Sequence, residues 1–255
     1  MKVSFLGTGN SISNHNRKNT SLILQSTNSI LIDCSGNPIQ AAMQSGINPD
    51  SISDVILTHN HVDHIYAIPS LVHQMYLLHL SSKRAPFRFI GNKSTLDIVH
   101  KLLKAFNLLQ RKGIFEIEFI EVPKQGISIQ REEYRIKLFP VNHVWTDCFG
   151  CKFLSEDGKS IVYSSDTEPT NNLVKESQGI DLLVHECSTF TQNKLKGHTS
   201  FSEILELTSQ ISSKRIRLVH LPKIENDLQY IIDNKLNDLF GNLVQLAYDG
   251  EVLEI

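Results

Sequence analysis

Thr58-His59-Asn60-His61-Val62-Asp63-His64 sets four ligand-type side chains within six residues. The run leading into it, Asp54-Val55-Ile56-Leu57-Thr58, reads as a compact buried strand. Val62 to about Ser81 reads as a helix, kinked at Pro69. Side chains at such a strand-to-helix junction can converge on one cleft, and imidazole with carboxylate is the donor set of Zn²⁺, Mn²⁺ or Fe²⁺. The competing reading is a polar loop that happens to hold three histidines. The scarcity of histidine and the tight spacing argue against it.

A metal centre needs donors from elsewhere in the chain. His143 follows the strand Tyr134–Val141, Asp166 ends the strand Ile161–Ser164, and His220 lies in the strand Ile216–Leu221. Each alone could be an ordinary core or surface residue. Together, at the ends of successive strands, they complete a seven-residue set.

The other elements fall into place around these. Strands are expected at Lys2–Gly7, Ser21–Gln25, Ile30–Asp33, Phe87–Ile90, Phe115–Val122, Cys151–Leu154 and Asp181–His185. Helices are expected from Pro38 to Gly46, from Thr95 to Leu109, around Asn171–Ser177, from Ser200 to about Gln210, and from about Asp227 to Leu239. Ser200 and Glu203 form a capping box. Leu246 to Leu253, with Asp249-Gly250 between apolar residues, reads as a closing hairpin. Strands and helices mix along the whole length without a linker or repeat, so residues 1–255 are expected to form one α/β domain of layered sheets.

A net charge of −2 argues against a protein that holds long nucleic acid through its overall field, because that task needs clustered Lys and Arg. Met1 to Gly7 reads as a strand rather than a signal peptide, and no apolar run approaches the ~18 residues that span a membrane. Four cysteines do not make a disulfide framework at this length, so a cytoplasmic location is expected.

His59-x-His61-x-Asp63-His64, followed in order by His143, Asp166 and His220, resembles the metallo-β-lactamase superfamily. The resemblance spans essentially the whole chain and implies a four-layer αβ/βα sandwich with two divalent metal ions, zinc or manganese, at the sheet edges. It implies that His59, His61 and His143 hold one metal and that Asp63, His64 and His220 hold the other, with Asp166 bridging. Asp33 matches an aspartate that orients a ligand histidine. Two cations ~3.5–4 Å apart acidify a shared water, and the bridging hydroxide attacks phosphorus in line.

Two further motifs, His185-Glu186-Cys187-Ser188-Thr189-Phe190 and Gly197-His198-Thr199-Ser200, resemble the ribonuclease Z-like branch, as does Arg17-Lys18-Asn19-Thr20-Ser21. There the counterpart of His198, held by that of Glu186, protonates the leaving oxygen, which suits the expulsion of an alkoxide. The resemblance therefore makes Asp63, His198 and Glu186 the catalytic residues. Glyoxalases and lactamases have no need of such an acid, and oxygen-reducing di-iron relatives carry Glu where His61 stands.

One departure is informative. Members that process transfer RNA carry a long arm between the third His ligand and the bridging Asp. His143 to Asp166 is only 23 residues, which two short strands largely consume. The chain is thus most similar to arm-less, anti-Pycsar-type phosphodiesterases that open 3′,5′-cyclic nucleotides to linear monophosphates. Cleavage of RNA at tRNA 3′ ends is the alternative. A homodimer is implied by the same resemblance.

Cys148-Phe149-Gly150-Cys151 has no second pair to complete a zinc site and is assigned to packing. His73, His79 and His100 fall on expected helices. His15 lies in a loop that could approach a phosphate, and His185 could support the site. Lys83-Arg84 is expected in a solvated loop, and Arg215 and Arg217 at a strand edge.

Overall fold

The computed structural model describes residues 1–79, 85–190, 195–223 and 226–255, excluding the side chains of 226–231 and 234. Its first half runs β1 (Lys2–Gly7), β2 (Ser21–Gln25), β3 (Ser29–Ile32), α1 (Pro38–Gln44), β4 (Ile52–Ile56), α2 (Val62–Ile65), α3 (Ile68–Leu78), β5 (Phe87–Gly91), α4 (Lys93–Ala105) and β6 (Ile117–Glu121). The second half runs β7 (Ile127–Gln130), β8 (Tyr134–Val141), β9 (Cys148–Ser155), β10 (Ser160–Tyr163), α5 (Asn171–Glu176), β11 (Gln178–Ile180) and β12 (Leu182–Glu186). It ends with α6 (Phe201–Thr208), β13 (Ser212–Ser213), β14 (Ile216–Val219), α7 (Asn226–Phe240), β15 (Val244–Leu246) and β16 (Val252–Glu254).

Two seven-stranded sheets result, ordered β16-β1-β2-β3-β4-β5-β6 and β15-β14-β12-β10-β9-β8-β7. Alternation along each strand sends side chains to two different interiors. Leu22 and Leu24 of β2 join Phe149, Phe153 and Tyr163 between the sheets, whereas Ile23 faces the cluster that includes Ile68, Leu71 and Val99 of α3 and α4. A third cluster packs Leu183 and Leu218 against Ile204 and Leu207 of α6. Three apolar interfaces make the four expected layers, and burying both faces of a sheet is the main favourable term in such a fold. No helix of the described residues is long and apolar enough to cross a membrane.

Four expectations need correction. The single helix from Val62 breaks at Tyr66–Ala67, and Pro69 enters the first turn of α3 instead of kinking a continuous helix. The cause is Cys34, whose N–H donates to the His64 carbonyl (2.7 Å) and whose carbonyl accepts from Ala67 N–H (3.1 Å), taking over backbone groups the helix would have used. The part of that helix expected beyond residue 79 lies outside the described residues.

The Thr95–Leu109 helix spans Lys93–Ala105, begun by Asn92 accepting from Thr95 N–H; Asn107, at φ +53°, lies just past its end. β9 starts at Cys148, not Cys151. Gly150 lies inside the strand because the Phe139 ring crosses it, and a Cβ there would come 2.6 Å from Phe139 Cζ. The closing hairpin does not form. β15 pairs with β14 in one sheet and β16 with β1 in the other, so Asp249-Gly250 carries the chain between sheets.

Candidate active site

Both sheets deliver polar residues at the C-terminal ends of their strands. Asp33 follows β3, Thr58 and His59 follow β4, His143 follows β8, Asp166 follows β10, Glu186 ends β12 and His220 follows β14. His61, Asp63 and His64 come from the turn that opens α2. Strand ends of this kind are where open α/β sheets gather their chemistry.

Asp166 stands at the centre. Its Oδ2 lies 3.1 Å from His220 Nε2, 3.3 Å from His64 Nε2 and 3.9 Å from His59 Nε2. Asp63 Oδ2 is 3.5 Å from both His64 Nε2 and His220 Nε2. On the other flank His143 Nε2 is 3.0 Å from His61 Nδ1. Ligand atoms of His59, His61 and His143, and separately of Asp63, His64 and His220, lie within 4.8 Å of one another. The seven expected residues therefore converge in two groups around one carboxylate.

The outer nitrogens are occupied. His59 Nδ1 is 3.0 Å from Thr58 Oγ1, His64 Nδ1 2.8 Å from Asp33 Oδ2, His143 Nδ1 2.6 Å from the Gly197 carbonyl, and His220 Nδ1 2.8 Å from Ser188 Oγ. Inner atoms are left over: His59 Nε2, His64 Nε2, His220 Nε2 and Asp166 Oδ1 are buried without a hydrogen-bond partner. Buried polar atoms without partners are costly unless something else binds them. Four such atoms within the two ligand groups and the carboxylate beside them, each imidazole anchored from behind, fit a divalent cation centre by donor type and by outer support.

The electrostatics agree. Burial and the neighbouring His64 hold His59 well below the ordinary histidine value, and burial lowers His61 and His143, so these rings offer lone pairs. Burial opposes the charge on His64, but Asp166 and Asp33 on either side outweigh it and raise that ring well above the usual value. Burial likewise opposes ionisation of Asp166, yet His220 and His64 hold it well below the carboxylate range. A cation held here would compete with a proton for His64, as metal binding to imidazole generally does.

Beside this cluster Glu186 is fully buried. Its Oε1 accepts from Thr167 N–H (2.9 Å) and lies 2.9 Å from His198 Nδ1, and Oε2 accepts from Ser188 Oγ–H (2.6 Å). The His198 ring stacks on His220, centroids 5.3 Å apart, with part of it open to the cleft. Burial would lower its pKa, but the hydrogen bond and charge of Glu186 prevail and raise it. Gly197 sits at φ +81°, and a Cβ there would stand 2.9 Å from Val144 N, so only glycine lets this segment close on His143.

Backbone strain collects here. Among the described residues five non-glycines have positive φ, and of these Asp33 (+57°), Ser165 (+57°) and His220 (+54°) belong to or adjoin the cluster. Trp145, at +60° and 92% exposed, lies two residues past His143. Such conformations persist only where the surroundings impose them, and they are common at functional sites.

Some expectations fall differently. His185 turns its Nδ1 to the Glu186 carbonyl (2.6 Å) and joins neither ligand group. His15 is exposed. Arg217 is not at a sheet edge: β14 lies between β15 and β12, and Arg217 is buried with its Nε 2.8 Å from Glu251 Oε1, while Arg17 is buried with its Nη1 2.6 Å from Thr8 Oγ1. Cys148 and Cys151 are buried free thiols raised by burial. Lys83-Arg84 lies outside the described residues. Sequence reasoning missed Ser188, Thr58 and the Gly197 carbonyl as supports. All three stand inside the quoted motifs, but the side chains they support lie elsewhere in the chain or are not marked by spacing.

Similarity to known proteins accords with this geometry. The profile of the family described as Anti-Pycsar protein Apyc1 matches residues 1–237. A ribonuclease Z of Methanothermobacter thermautotrophicus is 24% identical over an alignment covering 87% of this chain and 86% of that protein. Human tRNase Z, short form, superposes with a TM-score of 0.79 at 22% identity, over 100% of this chain and 99% of that one. The metallo-β-lactamase fold protein YhfI of Bacillus subtilis superposes with a TM-score of 0.80 at 21% identity, again over 100% and 99%. The chain is accordingly a metal-dependent hydrolase of the metallo-β-lactamase superfamily, similar to ribonuclease Z, and it belongs to the anti-Pycsar protein Apyc1 family.

Proposed function

We propose that this protein hydrolyses 3′,5′-cyclic nucleotides to linear monophosphates. The observation that carries this reading is the pairing of a His/Asp cluster with an acid, Glu186–His198, in a cleft that lacks an arm beside it. β9 and β10 are joined by residues 156–159 alone, so nothing between His143 and Asp166 reaches out to hold a large RNA. The net charge of −2 and the family match support the same choice.

In this reading His59, His61 and His143 would hold one divalent ion and Asp63, His64 and His220 the second, with Asp166 available to both groups. Bound there, such ions neutralise phosphoryl charge and acidify a water. The chain supplies the rest. Asp33, Thr58 and the Gly197 carbonyl keep His64, His59 and His143 turned inward. Glu186 holds His198 Nδ1–H, leaving Nε2 to pass its proton to the departing ribose oxygen. Zinc is the ion proposed, in a cytoplasmic homodimer of the kind the ribonuclease Z resemblance implies.

The test is to incubate the zinc- or manganese-loaded protein with a panel of 3′,5′-cyclic mononucleotides and to separate the products. Linear monophosphates are expected. No turnover with metal confirmed bound sinks the reading and makes precursor transfer RNA, the substrate class suggested by the ribonuclease Z relatives, the next to try.

A pH profile follows from the acid. His198 acts when protonated, so activity is present below its raised pKa and declines as pH rises through it. Glu186→Gln removes the charge that raises it, and the alkaline limb of the kcat profile should move to lower pH. An unmoved limb would assign that limb to another group.

A further inference from the structure

Ser188 is buried, and its hydroxyl has three neighbours: Glu186 Oε2 at 2.6 Å, His220 Nδ1 at 2.8 Å and His198 Nδ1 at 3.0 Å. A hydroxyl has one proton and two lone pairs, whereas a carboxylate only accepts. The single proton therefore goes to Glu186, at the short distance typical of O–H···O⁻ bonds. Oγ can then only accept from the imidazoles, so His220 must carry its proton on Nδ1. That leaves His220 Nε2 bare, 3.1 Å from Asp166 Oδ2 and 3.5 Å from Asp63 Oδ2. His198 Nδ1 shares its proton with Glu186 Oε1 at 2.9 Å. One carboxylate thus orients the acid directly and a metal-side histidine through one hydroxyl.

Among the described residues the ring has no other anchor of this kind. His220 is held at φ +54°, with its N–H donating to Thr20 Oγ1 (3.1 Å), which fixes the backbone but not the tautomer. We propose that Ser188 is a positioning residue that locks the His220 tautomer and so couples Glu186 to the ion held by Asp63, His64 and His220. The inference rests on the ligand assignment above and is independent of which phosphodiester is cut.

The experiment is a zinc titration against a competing chelator, with metal content measured per chain, on the parent, Ser188→Ala and Ser188→Thr. The parent and Ser188→Thr should hold two ions. Ser188→Ala should keep one ion at parental affinity and bind the second about 10- to 100-fold more weakly, the usual cost of removing an outer partner of a ligand histidine. Ser188→Cys, which fills the site with a poor hydrogen-bonding group, should show the same selective loss if the alanine variant does not fold. Imidazole ¹⁵N spectra of metal-free protein should show one fixed His220 tautomer in the parent and a mixture in Ser188→Ala. Two ions bound at parental affinity by the folded Ala or Cys variant overturn this proposal and leave the ligand assignment standing. A parent that binds fewer than two ions overturns both.

Discussion

Asp166→Ala should reduce phosphodiester hydrolysis by roughly three orders of magnitude or more. The carboxylate has its Oδ2 within 4 Å of His59, His64 and His220 alike, so it touches both proposed ligand groups. Its removal takes away the shared anion that would hold two cations side by side, and such cations stabilise transition-state charge by several kcal/mol. At 1.36 kcal/mol per factor of ten, that is about a thousandfold. Asp166→Asn makes the sharper comparison. It keeps the shape of a fully buried side chain while removing the charge that raises His64. Turnover and bound metal should be measured together, with circular dichroism confirming the fold. Both variants should lose activity, and Asn should keep the parental fold more fully than Ala. Parental turnover by folded Asp166→Ala would place the chemistry elsewhere.

His198→Ala should slow hydrolysis of a cyclic nucleotide by about 10²- to 10⁴-fold, the usual contribution of a positioned acid. The loss should fall on kcat with KM little changed, because the proton is delivered only as the bond breaks. A nitrophenyl phosphodiester tests this directly. Nitrophenolate leaves without a proton, so the variant should cut that substrate at close to the parental rate. Equal losses on both substrates would mean that His198 positions the phosphoryl group rather than protonating the leaving oxygen.

The cluster from His59 to His64 was legible because it is local: one strand end and one helix start place four donors together whatever the rest of the chain does. His143, Asp166 and His220 were legible only through their order and their places at strand ends. Asp33 and His198 came through resemblance. What escaped was contact between distant segments. Gly197 supports His143 from 54 residues away, and no periodic pattern announces a carbonyl. Ser188 was in view within a motif, but its three partners emerge only when β12, β14 and the start of α6 meet. The fold shows the same division. Alternation found most strands, yet it could not tell that Val244–Leu246 and Val252–Glu254 join different sheets, since each flanks an ordinary turn. The break after α2 was equally hidden, because its cause is Cys34, on another segment.

The tryptophan beside His143 has an optical consequence. The chain contains one Trp, and it is almost wholly in water. Excited selectively, beyond the absorption of the tyrosines, its emission therefore reports a single point two residues past His143. An indole so placed emits at the red end of its range, and anything that covers it or reorders residues 142–147 shifts the light towards blue. A titration of the unlabelled protein with ions, or with the proposed nucleotide substrate, can therefore be read for such a shift without waiting for product.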